Sequence, residues 1–445
     1  MKRLLLLILI ISPFIIFSQK EANIWYFGEY TGLDFTSGSP VALTNSAMNK
    51  DEGCASISDS AGNLLFYTSG ISVWNKNHML MSNGIGLAGH NSSTQSALIV
   101  PKPGSSNIYY IFTTDAFFYA NGLKYSVVDL SLNSGLGAVT QKNIGIITPA
   151  TEKLTAVKHS NGIDYWMIAH YNNNSFAAYP ITSSGIGTPV VTPIGVQHLG
   201  GGATGTLNAI GYMKTSPSGA KIACTIMNLG ILEVFDFNTT TGVVSNPITF
   251  NNPTYYNAYG VEFSPNEEVL YFTADTALYQ VNLNAGSTSA IINSVQQEGA
   301  STLLMSYLGA LQLGPDNRIY CVDYFHDYVS VINQPNALGT ECMWVHDGVS
   351  LNNKHCYAGL PNFVTSIFYN APQNVRDLNS SELSLECYPN PANDKLYLKT
   401  TSKNSKSEIT VYDLKGRLKF KKELKSNYLE INVSEWRKGL YFINF

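Results

Sequence analysis

The sequence predicts an all-β protein, a seven-bladed β-propeller followed by a small β-sandwich, and three observations carry that expectation. Only 13% of the residues are charged, while Gly, Asn, Ser, Thr and 27 Tyr take the places that helix surfaces give to Lys, Glu and Ala. One phrase recurs: "GYMKTSPSGAKIAC", "GVEFSPNEEVLYF" and "GALQLGPDNRIYCV" each read as strand, tight polar turn, strand. Their leading glycines, Gly211, Gly260 and Gly309, are 49 residues apart both times, a repeat period. Finally, the charge changes sign near residue 385: 15 Lys+Arg stand against 24 Asp+Glu before it, and 12 against 7 after it.

Taken in order, residues 1–18 read as a signal peptide, because Lys2 and Arg3 precede an apolar run from Leu4 to Phe17. That run is interrupted by Pro13 and is shorter than the roughly 20 residues of a spanning helix. No later stretch is long and apolar enough to span a bilayer, so no transmembrane segment is expected. Residues 19–369 then hold the propeller. Weaker copies of the repeat, "EGCASISDSAGNLLFYTS", "SALIVPKPGSSNIYYIFTT" and "LTAVKHSNGIDYWMIAH", bring the count to six complete four-stranded units between about residues 52 and 348. "NIWYFG", "LDFTS" and "PVALT" look like strands two to four of a further unit, and "GLPNFVTSIFY" (359–369) like its missing first strand. Joined, they would close the ring as a seventh blade and remove exposed edges; six or eight blades are the alternatives. Residues 370–384, poor in anything to bury, read as a linker to the tail, 385–445.

Six cysteines in an exported chain permit disulfides. Cys342 and Cys356 form the favoured pair, since they bracket what reads as one short loop, whereas Cys54, Cys224 and Cys321 fall in strands and read as small buried hydrophobes. No CxxC pair is present and His159 and His170 read as satisfied histidines, so neither a metal site nor a cofactor is expected. The clustered basic face of a nucleic-acid binder is missing too.

In a propeller the fourth-to-first connections collect on one face, and here they are long. They carry His90, His198, Tyr255, Tyr256, Tyr259 and His355, with Lys50, Asp51 and Glu52 at the equivalent place in the first complete unit. Such a face, rich in Tyr and Asn, suits an extracellular glycan or protein ligand. No catalytic residue is assigned: the chain has no GxSxG, HExxH or P-loop, and the protein is expected not to be an enzyme. The rival reading is a polysaccharide hydrolase or lyase using Glu52, Glu152 and Asp51 at the channel.

The stretches "KDEGCASISDSAGNLLFYTSG", "STQSALIVPKPG", "GALQLGPDNRIY" and "AGLPNF" resemble propeller modules related to WD and YVTN repeats in secreted and surface proteins of Bacteroidetes. That resemblance implies a binding or adhesion unit. "CYPNPANDKLYL", "ITVYDLKGRL" and "INVSEWRKGLYFINF" resemble the C-terminal sorting domain of the type IX secretion system, with Pro389, Asn390, Pro391, Asp413, Gly416, Arg417, Gly439 and Tyr441 at the characteristic positions. It implies passage through the periplasm, engagement of the type IX machinery and release to the cell surface or medium. Against that family's pattern, a last strand after "GLYF" is missing from the sequence.

Overall fold

A computed structural model describes residues 20–117, 121–171, 173–198, 207–301 and 306–369, and from the tail 385–389, 391–400, 407–413, 417–424, 426, 428–437, 439 and 441–444. The expected signal peptide, the linker, Asn390 and Gly416 lie outside the described residues. The chain divides into two compact units, Met1–Ala371 and Pro372–Phe445.

The first unit is a β-propeller. Its described strands form seven successive antiparallel meanders; the last six run from an inner to an outer strand in chain order, and in the first the later strand Asn49–Lys50 is added beside Ile24–Glu29. The first contains Ile24–Glu29, Thr31–Asp34 and Val41–Leu43; the inner strands of the next six are Ala55–Ser58, Ala97–Pro101, Ala150–Lys158, Met213–Thr215, Ala258–Phe263 and Leu308–Leu313. The second and third meanders are joined through a single parallel pairing of Ser82 with Ala138 on their outer strands. The seventh packs back on the first, where Tyr320 meets Trp25 and Phe35 edge-on at 5.5 and 5.3 Å between ring centroids.

The glycine at the head of the repeat has a packing reason. A Cβ on Gly260 would lie 2.4 Å from the Gly309 carbonyl oxygen, and one on Gly309 would lie 2.5 Å from that of Ala358, so inner strands could not approach this closely with any larger residue. Polar side chains knit these strands together. The Gln95 amide oxygen accepts from the backbone N–H groups of Leu154 (3.1 Å) and Met213 (2.8 Å), while its nitrogen donates to the Met213 carbonyl and to Asn362. Lys214 and Glu262 form a buried ion pair at 3.5 Å, and Glu262 also accepts from the N–H of Leu313.

The expectation for residues 359–369 is corrected. They supply no strand to the first meander; Asn49–Lys50 pairs with Gly28 and Glu29 instead. The segment crosses the inner strands, bridging Cys54 through Pro361 and Ala156 through Val364, then turns into a 3-10 helix at Thr365–Phe368. Pro361 lacks the N–H a ladder needs, and the side chains serve instead: Asn362 donates to the Ala97 carbonyl and Thr365 bonds Thr215 and the Ala156 carbonyl. Trp25 and Phe363 do meet, at 5.8 Å.

The disulfide expectation is also corrected, since Cys342 and Cys356 are both free and buried. What reads as a loop between them contains the strand Trp344–Ser350, whose seven residues hold its two ends about 20 Å apart. Cys356 lies past the strand's far end, where its thiol donates to the carbonyls of Asp323 (3.0 Å) and His326 (3.2 Å).

The second unit has two three-stranded sheets, one of Leu385–Tyr388, Lys395–Thr400 and Tyr428–Asn432, the other of Leu418–Leu424, Ser407–Asp413 and Tyr441–Asn444. Leu398, Ile409, Val411, Leu429, Ile431 and Val433 are its buried core.

Candidate ligand-binding face

Second-to-third turns and fourth-to-first connections meet on one side of the propeller unit, where the structure assembles a row of rings. Tyr307, just before the seventh inner strand, stacks on Tyr324 at 4.7 Å and 16°. Tyr324 neighbours Tyr357, Tyr357 neighbours Phe325, and Phe325 lies flat on His355 at 4.6 Å and 3°. Lys354 extends the row over the Tyr30 ring at 5.6 Å. The turn that follows Ile319–Asp323 sets this geometry: Tyr324 donates its N–H to the Tyr307 carbonyl and Phe325 to that of Cys356. Phe325 is 59% exposed and holds φ at +63°, a conformation that suits Gly or Asn and strains a bulky residue.

Acids flank the rings. Glu29 accepts from His355 Nδ1 at 2.6 Å, and that hydrogen bond holds its carboxyl below the usual range. Asp51 accepts from Asn91. Glu52 accepts from the Ser92 hydroxyl at 3.3 Å with one carboxyl oxygen, while the other is buried. Burial, then the charge of Glu152, pushes Glu52 up to about 8, so at neutral pH it is an acid able to donate. The Tyr259 hydroxyl, also buried, lies within hydrogen-bonding reach of the Glu52 carboxyl and feels its charge. Burial, followed by the charges of Tyr324, Glu52 and Asp51, raises the Tyr307 phenol, which ties the row to this polar well.

Several residues singled out in the sequence belong to the scaffold. Lys50 is 1% exposed, its ammonium donating to the carbonyls of His90 (2.6 Å) and Asn91 (3.0 Å), and burial pushes it down to about 8. Tyr255 packs edge-on against Phe272 and Tyr279, and Tyr259 against Tyr212. His90 Nδ1 accepts from the N–H of Ser92 inside its own loop. His198 is wholly buried, its ring stacked on His170 at 3.8 Å. The platform of Tyr255, Tyr256 and Tyr259 is therefore corrected: Tyr255 is buried in the 3-10 helix Pro253–Tyr255 and Tyr259 in the sixth inner strand, which leaves only Tyr256 at the surface, 51% exposed. Asp51, Glu52 and His355 remain beside the rings. Tyr307, Tyr324, Phe325 and Tyr357 were not singled out in the sequence; an aromatic pair placed straight after a strand end, "DYF", is the signal that would have found them.

The carboxylates of the hydrolase reading divide. Glu152 is fully buried and accepts from the N–H and hydroxyl of Thr94 (2.7 and 2.6 Å) and from the N–H of Phe117 (3.0 Å), which makes it a fastening between loops. Three of its roughly four acceptor positions are taken by these loops and none of it reaches the surface, which suits a structural group better than one half of an acid and base pair.

In the second unit Pro389, Pro391, Gly439 and Tyr441, four of the characteristic positions, help to line a cavity of about 320 Å³ together with Trp436 and Arg437 among others. Tyr441 donates to the Arg437 carbonyl at 2.6 Å, and Arg417 clamps Asp413 through Nε and a terminal nitrogen at 2.9 and 2.8 Å. The family model of the secretion system C-terminal sorting domain matches residues 386–445. The tail is a type IX sorting domain. It marks the protein for export to the cell surface or the medium, and implies interaction with the secretion machinery. Among the described residues no helix is long and apolar enough to cross a membrane.

No curated protein matches the chain. Among solved structures, a putative 6-phosphogluconolactonase from Bacteroides fragilis is 12% identical at a TM-score of 0.43, covering 93% of this chain and 99% of its own. The periplasmic gluconolactonase of Pseudomonas aeruginosa is 10% identical, with a TM-score of 0.38 and coverage of 81% and 94%. The β-propeller domain of Myceliophteria thermophila Cps50 is 9% identical, with a TM-score of 0.40 and coverage of 68% and 93%.

Proposed function

We propose that the exported protein is a non-enzymatic, seven-bladed binding propeller that uses the row from Tyr307 to His355 to hold an extracellular glycan. The observation that carries this reading is Phe325, exposed and held at positive φ among stacked rings. The apolar faces of sugar rings stack on aromatic side chains, and Asp51 and the protonated Glu52 offer an acceptor and a donor for sugar hydroxyls. A protein ligand would use the same surface. The hydrolase reading is weakened, because Glu152 is buried and engaged by Thr94 and Phe117.

Two experiments test this. In a glycan array, binding by the intact protein should fall at least tenfold in Tyr307→Ala and stay unchanged in Tyr256→Ala; equal binding by both variants refutes the surface. For delivery, cells carrying the chain without residues 385–445 should retain it inside the outer membrane, and its appearance in the medium would contradict export through the tail.

A further inference from the structure

We propose that His198, Cys224 and Glu233 form a site for a zinc-like divalent transition ion inside the propeller unit. Cys224 and Glu233 are direct cross-strand partners in the fifth meander, so their side chains emerge side by side. His198 comes from the connection leaving the fourth meander and is brought over them by two backbone hydrogen bonds: its own N–H donates to the Asn173 carbonyl at 2.8 Å, and the N–H of Val196 donates to Glu233 at 3.0 Å. Gly195, at φ +85°, permits that approach, since a Cβ there would sit 2.8 Å from a Glu233 carboxyl oxygen.

One ligand atom from each of the three residues lies within 4.8 Å of the others, and all three residues are buried. A tetrahedral zinc ion, with bonds of about 2.0 to 2.3 Å, would draw them together by roughly an ångström, within reach of side-chain rotation. The second observation is the imidazole itself. His198 is wholly buried, and neither ring nitrogen has a hydrogen-bond partner among the described residues, although a histidine that merely filled the core would have found one. His170 stacks on it at 18° and is fixed through a 2.8 Å bond between Nδ1 and the Tyr171 carbonyl. Glu233 is steadied by Thr249 at 2.9 Å.

The charges balance. A thiolate and a carboxylate neutralise a divalent ion, and the nearby Lys153 ammonium is occupied by the carbonyls of Asn208, Ala209 and Ile210 at 3.2, 3.0 and 2.8 Å. The thiol must give up its proton to bind, so uptake releases acid and tightens as pH rises. Imidazole with thiolate and carboxylate suits zinc and cobalt and is poor for calcium or magnesium. This site is independent of the proposed glycan surface.

The test is a titration of the intact metal-free chain with Co²⁺, whose bond to a thiolate gives a charge-transfer band in the near ultraviolet. One equivalent should bind with that band, binding should weaken about tenfold per pH unit lowered, and Zn²⁺ should displace the cobalt and raise the melting temperature. Cys224→Ala should abolish the band. Should that variant fail to fold, His198→Phe, which keeps an apolar ring in the stack, should fold and show neither cobalt band nor zinc-dependent melting shift, and Glu233→Gln should bind at least tenfold more weakly. No uptake by the wild-type chain, or a band that persists in a folded Cys224→Ala or His198→Phe variant, overturns the proposal.

Discussion

Two stretches on the same face of the propeller contain almost the same ingredients and end in opposite places. The connection into the sixth meander carries Tyr255, Tyr256 and Tyr259, and two of the three are buried at 7% exposure. The turn of the seventh meander carries Tyr324 and Phe325, with Tyr357 beside them, and Phe325 is 59% exposed. The difference is what comes next in the chain. Tyr259 belongs to the strand Ala258–Phe263, so its side chain must face either an adjacent meander or the axis, whereas Phe325 follows the strand Ile319–Asp323 and is free to project. Tyr255, in the 3-10 helix Pro253–Tyr255 ahead of the strand of Tyr259, is held in by Phe272 and Tyr279, so what packs on each ring decides its fate.

The largest effect should come from the packed side. Gln95→Leu would strip the acceptor from two buried N–H groups, those of Leu154 and Met213, at about 1–3 kcal/mol each, so chemical denaturation should show a loss of about 2–6 kcal/mol. A loss below about 1 kcal/mol would mean that the inner strands do not depend on this amide. Tyr259→Ala should follow at about 3 kcal/mol, the cost of emptying a buried aromatic position. Tyr259→Phe should cost less, about 0.5–1.5 kcal/mol, because it keeps the ring and removes only the hydroxyl that meets Glu52.

A pH effect ranks next. Glu52 has a folded-state value raised to about 8 by burial and by Glu152, so the folded form holds its proton more tightly than the unfolded chain does. That contribution is complete below the ordinary glutamate range and is lost as pH climbs through 8, with a slope of up to about 1.4 kcal/mol per unit. Stability measured from pH 5 to 8 should therefore fall less steeply in Glu52→Gln than in the wild type; parallel profiles would place Glu52 in water. The smallest effect belongs to Tyr256→Ala, within about 0.5 kcal/mol, as expected of an exposed side chain.

Much of the scaffold was legible because its cause is local. Alternating strands, polar turns and a glycine every 49 residues report directly on inner strands that touch backbone to backbone, as Gly260 and Gly309 do. The course of residues 359–369 was not legible, because a short apolar run with one proline reads alike as an edge strand or as a segment lying across several strands. Only the partners of Asn362 and Thr365, 150 or more residues away in sequence, decide it. The same holds for Cys342 and Cys356, whose separation depends on reading "WVHDGVS" as a strand. Site residues were legible by face and not by identity: Asp51, Glu52 and His355 lie beside the rings, whereas Lys50, His198 and Tyr259 turn inward through contacts no single sequence displays.

The most direct measurement is Phe325→Gly, read twice on the same sample. Glycine accepts φ +63° without strain, so the melting temperature should hold or rise while glycan binding drops at least tenfold. Undiminished binding, or a melting temperature that collapses with it, would show that Phe325 serves the fold and that the row of rings is not the binding surface.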